Sequence, residues 1–190
     1  MFGSKNSLGA DNQQERLRAG INPWYISGFV DGEGSFHIAF AKRPDLPRKW
    51  SIIPEFHINQ DTGRSSVLHE IHQYFRCGRI QENHRNHLSD KTLVYVVRDR
   101  NDLLSKIIPF FEHYPLRSAK KQDFRLFADI VRRMSNGNHL KTPGFNTIVK
   151  QAFQMNYGGR YRKYAMEDIL LSESSETIRQ APYHYGTGKI

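Results

Sequence analysis

Two acidic residues, Asp31 and Glu33, alternate with glycines in the segment PWYISGFVDGEGSF, residues 23–36. The apolar run before them is typical of a short helix, so both acids fall near its C-terminal end. That end is the negative pole of the helix dipole, where an anion is disfavoured by roughly 0.3–1 kcal/mol. Acids make chemical sense there if divalent cations neutralise them. Such cations, held beside a phosphate, activate water and stabilise a leaving oxygen.

Small residues precede the acids by one helical turn. Ser27 and Gly28 would let a second helix approach closely, and two such helix ends would then bring their acids together. The backbone carbonyl of Gly32 is a further candidate oxygen ligand for a cation. The alternative interpretation is a helix-end turn at Asp31 beside a solvated Glu33.

Periodicity predicts the elements that position these residues. The first helix is predicted over Trp24–Val30, with Asn22 as its N-cap and with Gly32 and Gly34 ending it. Alternation predicts strands in SFHIAFAK and in KWSIIPEFHINQ, the latter with a bend or bulge at Pro54. Further strands are predicted in GRIQENHRN and TLVYVVRD, and helices in SSVLHEIHQYF, NDLLSKIIPFFEHY, SAKKQDFRLFADIVRRMSNG and PGFNTIVKQAFQMNY.

The predicted order, α-β-β-α-β-β-α, indicates an α+β fold with helices on one face of a four-stranded sheet and the other face exposed. Residues 1–20 are polar and are predicted to form a flexible N-terminal arm, and residues 21–157 to form the folded domain. Residues 158–190, which begin GGRYRKY, are interpreted as a solvated C-terminal extension, with phosphate contacts as the alternative.

Charge favours a polyanionic partner. The formal net charge is +9 and the pI is about 9.7, while 38% hydrophobic residues suffice for a core. Because no apolar run has the length of a membrane span, nucleic acid is favoured over a membrane surface. The single cysteine, Cys77, excludes an internal disulfide and a cysteine zinc site, and it is interpreted as a small hydrophobe at a helix end.

The exposed sheet face is predicted to carry hydrogen-bonding side chains at alternate positions. Arginine matches guanine edges, glutamine and asparagine match adenine edges, and loop cations suit phosphates. An ordinary solvated sheet face is the alternative. The predicted DNA-facing residues are Ser35, His37, Ala39, Lys42, Arg43, Arg48, Lys49, Glu55, His57, Asn59, Arg79, Gln81, Asn83, Arg85, Tyr95 and Arg98, and the alternation also places Leu93 on this face.

The string ISGFVDGEG, Ile26–Gly34, resembles the signature of the LAGLIDADG homing endonucleases position by position. The resemblance continues in FHINQ, YVVRDRNDLLSKIIPFFEHYPLRSAKKQDFRLFADIV and NHLKTPGFNTIV, and it extends over residues 22–155. It implies the family's α-β-β-α-β-β-α fold, with the sheet as a saddle on DNA. It also implies site-specific, metal-dependent cleavage of both DNA strands across the minor groove, leaving 3′ overhangs.

The resemblance implies roles for the helix-end residues. Glu33 matches the second acid of the signature, which binds the catalytic metals together with the carbonyl of the preceding residue, here Gly32. The family more often has aspartate at this position. Asp31 matches the first acid, whose role is more structural. The implied cofactor is Mg²⁺, with Mn²⁺ as a substitute and with Ca²⁺ expected to bind without cleavage.

Two further catalytic positions are implied. Gln60, at the end of the second strand, matches a polar residue that helps to order active-site water. A basic residue near the start of the late helix supports the scissile phosphate, and the candidates are Lys120 and Lys121.

A second copy of the signature is not found in the sequence. Because cleaving two strands takes two active-site acids, we expect a homodimer whose two-fold axis passes through the first helices, with a palindromic or nearly palindromic double-stranded DNA target. No other protein and no membrane is expected to be required. The alternatives are an RNA maturase that assists intron splicing and a DNA-binding module that does not cleave. The intact acid at Glu33 favours cleavage over both.

Overall fold

The computed structural model describes residues 20–83, 91–160 and 162–171. Its helices and strands confirm the predicted α+β fold and its element order. Short 3₁₀ turns lie at Thr62–Arg64 and Asn138–Leu140, and a π turn lies at Leu103–Ile107. The elements are α1 (Pro23–Glu33), β1 (Gly34–Lys42), β2 (Trp50–Asp61), α2 (Ser66–Phe75), β3 (Arg79–Glu82), β4 (Thr92–Val97), α3 (Arg100–Asp102), α4 (Ile108–His113), α5 (Lys120–Ser135), α6 (Thr142–Phe153) and α7 (Met166–Leu171).

The four strands form one antiparallel sheet in the order β1-β2-β4-β3. The helices cover one face, and aromatic rings from both layers meet in the core between them. Phe36 of β1 lies at the centre, with ring centroids 5.2 Å from Phe56, 5.4 Å from Phe111 and 5.3 Å from Phe127. The opposite face of the sheet has no helix packed on it among the described residues. In that same part of the chain, no helix is long and apolar enough to span a bilayer.

Helix α1 is longer than predicted and ends at Glu33, the last residue before β1. The side chain of Asn22 accepts a hydrogen bond from the Trp24 amide at 2.8 Å, which confirms the predicted N-cap. Gly32 lies within the helix, and Gly34 is the point of tight packing, because a Cβ there would lie 2.6 Å from Val30 Cγ1. Both acids therefore occupy the last helical turn.

Two prolines lie inside regular elements, Pro54 in β2 and Pro109 at the start of α4. Of the bend or bulge predicted at Pro54, the bulge is wrong, since β2 pairs with β1 in continuous register through Pro54↔Ile38. Strand β4 pairs only with Phe56–Asp61, so β2 has a single neighbouring strand at Pro54 and loses no second ladder. Pro109 follows the π turn, whose wider coil suits a residue that lacks an amide hydrogen and crowds the preceding turn.

Strand β4 points Tyr95 into the core, so the prediction that Tyr95 faces DNA is wrong. The Tyr95 ring is fully buried, and its hydroxyl donates to the Cys77 carbonyl at 2.9 Å. Tyr95 pairs with Ile58 on one side and with Ile80 on the other, and Leu93 lies on the same face. The sequence does not show which residues of β4 face the core, because positions 93–97 are all apolar and so do not alternate with polar residues. Residues 94–97 are in fact all buried.

The described part of the C-terminal extension packs onto the domain, so the prediction that it is solvated is wrong for those residues. Ile169 of α7 is fully buried in the core, and Tyr164 stacks edge-on against Trp50 with centroids 4.8 Å apart. Arg162 donates to the carbonyls of Ile38 and Ala152. Residues on both sides of the predicted boundary at residue 157 therefore pack against the same core.

Replacing Ile169 with alanine is expected to lower the free energy of unfolding by about 2–4 kcal/mol, because the change leaves a cavity in the core. Leu171→Ala is the matched control in the same helix. Leu171 is 63% exposed, so its truncation is expected to cost less than about 0.5 kcal/mol. Urea unfolding followed by circular dichroism measures both. Equal effects of the two changes would contradict the packed α7.

Candidate functional site

Asp31 ties the end of α1 to the segment before α5. Its carboxylate accepts hydrogen bonds from the Arg117 amide at 2.6 Å, the Ser118 hydroxyl at 2.7 Å and the Ser118 amide at 3.3 Å. Desolvation acts to raise the pKa of Asp31, but these hydrogen bonds and the charge of Lys120 outweigh it, so the pKa is lowered. The Asp31 carboxylate is therefore engaged within its own chain.

Lys120 binds the backbone carbonyls at the end of α1. Its ammonium nitrogen lies 2.8 Å from the carbonyl oxygen of Val30, 2.9 Å from that of Asp31 and 3.3 Å from that of Gly32. Burial lowers the pKa of Lys120, while the charges of Asp31 and Glu33 act to raise it. A cation at this negative helix end is the arrangement that the dipole favours.

Lys121 lies elsewhere, although it is the next residue. Its side chain is exposed and lines a groove between α4 and α5 together with Glu112 and Arg125. The structure thus distinguishes the two candidate lysines. Lys120 contacts the carbonyls at the end of α1, and Lys121 does not.

Lys120→Met is expected to lower the free energy of unfolding by about 1–3 kcal/mol, because it removes the donor shared by three carbonyls. Lys121→Met is the matched control and is expected to change stability by less than about 0.5 kcal/mol. Chemical denaturation at constant salt measures both. If Lys121→Met destabilised the protein as much as Lys120→Met, the helix-end role of Lys120 would be refuted.

Glu33 and the Gly32 carbonyl lie side by side at the exposed end of α1. The carbonyl already accepts the Lys120 ammonium, and Glu33 adds a carboxylate, so this site is built from oxygen ligands that attract a cation. No cluster of three or more His, Cys, Asp or Glu side chains capable of holding a metal occurs within residues 20–83, 91–160 and 162–171. One described chain therefore supplies only part of a hard-cation site.

Gln60 lies at the end of β2, beyond the core. Since Gly34 pairs with Ile58, Gln60 is two strand residues, about 7 Å, past the point where α1 joins the sheet. Its side-chain oxygen accepts the Asp61 amide at 2.9 Å, which fixes the amide group at the strand end. The structure thus places Gln60 at the same end of the sheet as Glu33.

The outer side of α1 is exposed and partly aromatic. Trp24 and Tyr25 are 51% and 53% exposed, and a Cβ at Gly28 or Gly32 would meet open space. Ser27 is instead buried and donates its hydroxyl to the Tyr114 carbonyl. The side chains of Ser27 and Asp31 both bond within their own chain, in keeping with the structural role expected of Asp31. The helix–helix contact expected at Ser27 and Gly28 stays a prediction, and Gly28 lies on the exposed side of α1.

The open face of the sheet carries the predicted polar side chains around an apolar centre. Val94 and Val96 point to this face but are only 6% and 4% exposed. Asn59 and Gln81 flank Val94, and His57 and Arg79 flank Val96. Ser35, His37, Ala39 and Glu55 continue the same face along β1 and β2.

Burial acts on the two histidines of this face. The imidazoles of His37 and His57 stack with centroids 6.5 Å apart, and burial lowers the pKa of both. Burial thus favours the neutral, hydrogen-bonding form of each imidazole over the charged form. Asn83 follows β3 and its amide donates to the Thr92 carbonyl at 2.9 Å, whereas Arg85 lies outside the described residues.

The predicted loop cations of residues 42–49 bond either on the helical side of the sheet or within the β1–β2 loop. Arg48 donates to Thr142 and Leu140 on the helical side, and Lys42 lies 5.8 Å above the Trp50 ring on that side. This differs from the expectation that both extend the polar face. Two other cations bond within the β1–β2 loop: Arg43 to both carboxylate oxygens of Asp45, and Lys49 to the Pro44 carbonyl.

Sequence reasoning missed the partner of Asp31. Ser118 binds that carboxylate through both its amide and its hydroxyl, and the hydroxyl also accepts the Lys120 amide at 3.2 Å. The available signal was a serine just before α5, where a side-chain oxygen can accept the first amide of a helix, as Ser118 does from Lys120. Nothing in the local sequence identified which carboxylate this serine would meet.

Residues 26–131 match the profile described as LAGLIDADG endonuclease, which covers more than half of the chain. The chain belongs to this family. The match contains the acids at the end of α1, the whole sheet and the Lys120 end of α5. It therefore includes every group of the helix-end site.

Two relatives of known name are both called endonucleases. Probable intron-encoded endonuclease 3 of Neurospora crassa is 34% identical over 153 residues, which are 80% of this chain and 27% of that protein. DNA endonuclease I-CeuI of Chlamydomonas moewusii is 33% identical over 105 residues, which are 55% of this chain and 47% of that protein. The chain thus spans less than half the length of either relative.

Solved structures of two homing endonucleases and a meganuclease share the fold. The archaeal intron-encoded homing endonuclease I-Vdi141I, complexed with DNA, aligns with a TM-score of 0.73 and 30% identity over 86% of this chain and 99% of that one. The homing endonuclease I-TnaI aligns with a TM-score of 0.69 and 29% identity over 83% and 99%. Meganuclease I-SmaMI bound to uncleaveable DNA aligns at 0.68 and 31% over 72% and 46%.

Proposed function

We propose that this LAGLIDADG chain is a site-specific DNA endonuclease that hydrolyses both strands of a long, nearly palindromic duplex site. The observation that carries the proposal is the helix-end site. Glu33 and the Gly32 carbonyl are exposed at the tip of α1, and Asp31 and Lys120 hold that tip in place. An acid at the negative pole of a helix is unfavourable for stability, and Glu33 makes no hydrogen bond or ion pair with its side chain among residues 20–83, 91–160 and 162–171.

Mg²⁺ is the proposed cofactor, and Mn²⁺ is its substitute. Glu33 and the Gly32 carbonyl would hold it with phosphate oxygens of the DNA, because hard cations prefer oxygen ligands. When bound, it supplies an activated water and charge stabilisation at the leaving oxygen. Gln60 is proposed to orient that water, and Lys120 to stabilise the charge that develops on the scissile phosphate. Ca²⁺ is expected to support binding without cleavage.

The proposed active form is a homodimer that packs through the outer side of α1. Gly28 and Gly32 leave this helix face open, and the exposed rings of Trp24 and Tyr25 extend it. Small residues four apart allow two helices to approach closely. The pairing would place two Glu33 side chains on either side of the two-fold axis, one for each strand. The comparison with I-Vdi141I and I-TnaI supports this proposal, because the present chain aligns with 99% of each of those chains, so each contains a single copy of this fold.

Cleavage of one duplex tests the proposal. The duplex spans the joined flanks of the genetic element that encodes the chain, and it is incubated with Mg²⁺, with Ca²⁺ or with EDTA. We expect cleavage of both strands only with Mg²⁺, binding alone with Ca²⁺, and 3′ overhangs centred on a nearly palindromic sequence. Failure to cleave with Mg²⁺, or cleavage that persists in EDTA, would refute the proposed function. Blunt ends would refute the proposal that the two strands are cut across the minor groove, which is expected to leave 3′ overhangs.

A further inference from the structure

We propose that Arg79 and Arg98 read two guanines of the target, and that Gln81 and Glu55 are positioning residues that aim them. This rests on the proposed function, because it concerns the same DNA-facing surface. From the sequence alone, Gln81 on the open face is expected to match an adenine edge, and Arg98, counted with the loop cations, is expected to bind a phosphate. The contacts of the two arginines replace both expectations.

The Arg79 side chain is held by its neighbour on β3. Its Nε donates to the side-chain oxygen of Gln81 at 2.7 Å. The two residues are two positions apart on a strand, so both lie on the open face. No other hydrogen bond of the Arg79 guanidinium is found among the described residues, which leaves its two terminal nitrogens available.

Arg98 is held in a similar way by a carboxylate. The register of β2 and β4, in which Phe56 pairs with Val97, puts Arg98 directly opposite Glu55. Arg98 Nε lies 2.7 Å from Glu55 Oε1, and the carboxylate side chain is only 13% exposed whereas that of Arg98 is 45% exposed. The acid is thus sheltered beneath the guanidinium instead of facing the phosphates.

Contact through Nε matters because a guanidinium has five donors in a planar fork. When Nε is occupied, the two terminal nitrogens remain as a pair of parallel donors. That pair matches the O6 and N7 acceptors of guanine, the commonest specific contact in the major groove. A side chain already held at Nε also loses less conformational freedom on binding than a free one.

The two arginines are neighbours on the sheet. Arg79 pairs with Val96, and Arg98 is two residues beyond Val96 on the same face. Diagonal neighbours of this kind have Cα atoms about 7–8 Å apart. This is close to two base-pair steps of about 3.4 Å, so we expect the two guanines to lie in one half-site about two steps apart.

Arg43 provides a matched control within the chain. It also contacts a carboxylate, but through both Nε and Nη2, at 2.9 Å and 2.7 Å from the two oxygens of Asp45. Its end-on pair of terminal nitrogens keeps free hydrogens, as in Arg79 and Arg98. Arg43 lies in the β1–β2 loop and not on the open face of the sheet, so we expect it to contact phosphate. Arg43 thus differs from Arg79 and Arg98 in its place on the protein while sharing their charge and a carboxyl or amide partner.

The test uses the duplex described above, with each base pair changed in turn to the three alternatives. Dissociation constants are measured in Ca²⁺ by fluorescence anisotropy. For the wild type we expect two guanines per half-site whose replacement weakens binding by about 5- to 150-fold. R98A and R79A should each remove the preference at one of them and leave the profile elsewhere unchanged. R43A should lower affinity evenly and keep both preferences.

The anchors are tested by conservative and non-conservative pairs. E55Q keeps an oxygen acceptor and should retain the guanine preference of Arg98, whereas E55L should reduce it several-fold at that position alone. Likewise, Q81E keeps an oxygen acceptor and should retain the guanine preference of Arg79, whereas Q81L should reduce it at that position alone. Thermal unfolding confirms that the variants fold, and a merely structural role would not change one base position selectively.

The outcomes separate this inference from the proposed function. A duplex that the wild-type chain does not bind refutes the proposed function and the inference with it. If the duplex is bound and cleaved but R98A and R79A weaken every sequence equally, the arginines contact phosphates and only the inference is wrong. A preference lost at a base other than guanine also refutes it.

Discussion

Glu33→Gln is expected to reduce strand cleavage by at least about a hundredfold while leaving DNA binding within a few-fold of wild type. The substitution keeps the shape of the side chain and removes the charge that would neutralise a cation beside the Gly32 carbonyl. Glu33 is exposed at the end of α1, so the change leaves no cavity. Single-turnover cleavage in Mg²⁺ and anisotropy binding in Ca²⁺ measure the two effects separately.

Glu167→Gln is the control for this prediction. Glu167 is an exposed acid in the first turn of α7, away from the end of α1, and its replacement removes the same charge. It should leave the cleavage rate unchanged. A Glu33→Gln protein that cut DNA at the wild-type rate would show that the acid at the α1 tip is not the metal ligand.

Gly28→Leu is expected to abolish association of two chains and cleavage of both strands without weakening the single chain. A Cβ at Gly28 meets nothing within 4 Å in the isolated chain, so the larger side chain causes no clash there. Replacing glycine within a helix stabilises the helix by roughly 0.5–1 kcal/mol. In a close helix pair, the added side chain would instead separate the two backbones.

Analytical ultracentrifugation with and without duplex DNA measures the assembly, and unfolding in urea measures the chain. Gln122→Leu controls for an added apolar side chain, because Gln122 is exposed on α5. The control should remain dimeric and active. If Gly28→Leu also assembled in pairs and cut both strands, the contact between chains would have to lie elsewhere on the surface.

The sequence predicted the parts of the fold and site that local patterns determine. The N-cap at Asn22, the polar alternation of β1 and the acids at the end of α1 depend on neighbours within a few residues. Residue spacing and side-chain type were therefore sufficient to predict these features. The same holds for α5, which lies within the predicted helix SAKKQDFRLFADIVRRMSNG and buries Phe124 and Phe127 at helical spacing.

Tertiary contacts decided the rest. Strand β4 is apolar at successive positions, so only pairing with Ile58 and Ile80 reveals that Tyr95 faces the core. Lys120 and Lys121 are chemically identical, and only the approach of α5 to the end of α1 distinguishes them. Ser27 looked like a small residue for a helix contact, and its bond to Tyr114 is made with a residue far along the chain.

The C-terminal segment also affects how copies of this protein meet. Asn156 and Arg162 donate to the carbonyls of Phe36 and Ile38, which lie on the outer edge of β1. An edge strand with unpaired carbonyls is a template for sheet extension by another molecule, and here those acceptors are occupied. If two copies meet through α1 as proposed, the carbonyls of Phe36 and Ile38 are not available for a competing strand-to-strand contact at this edge.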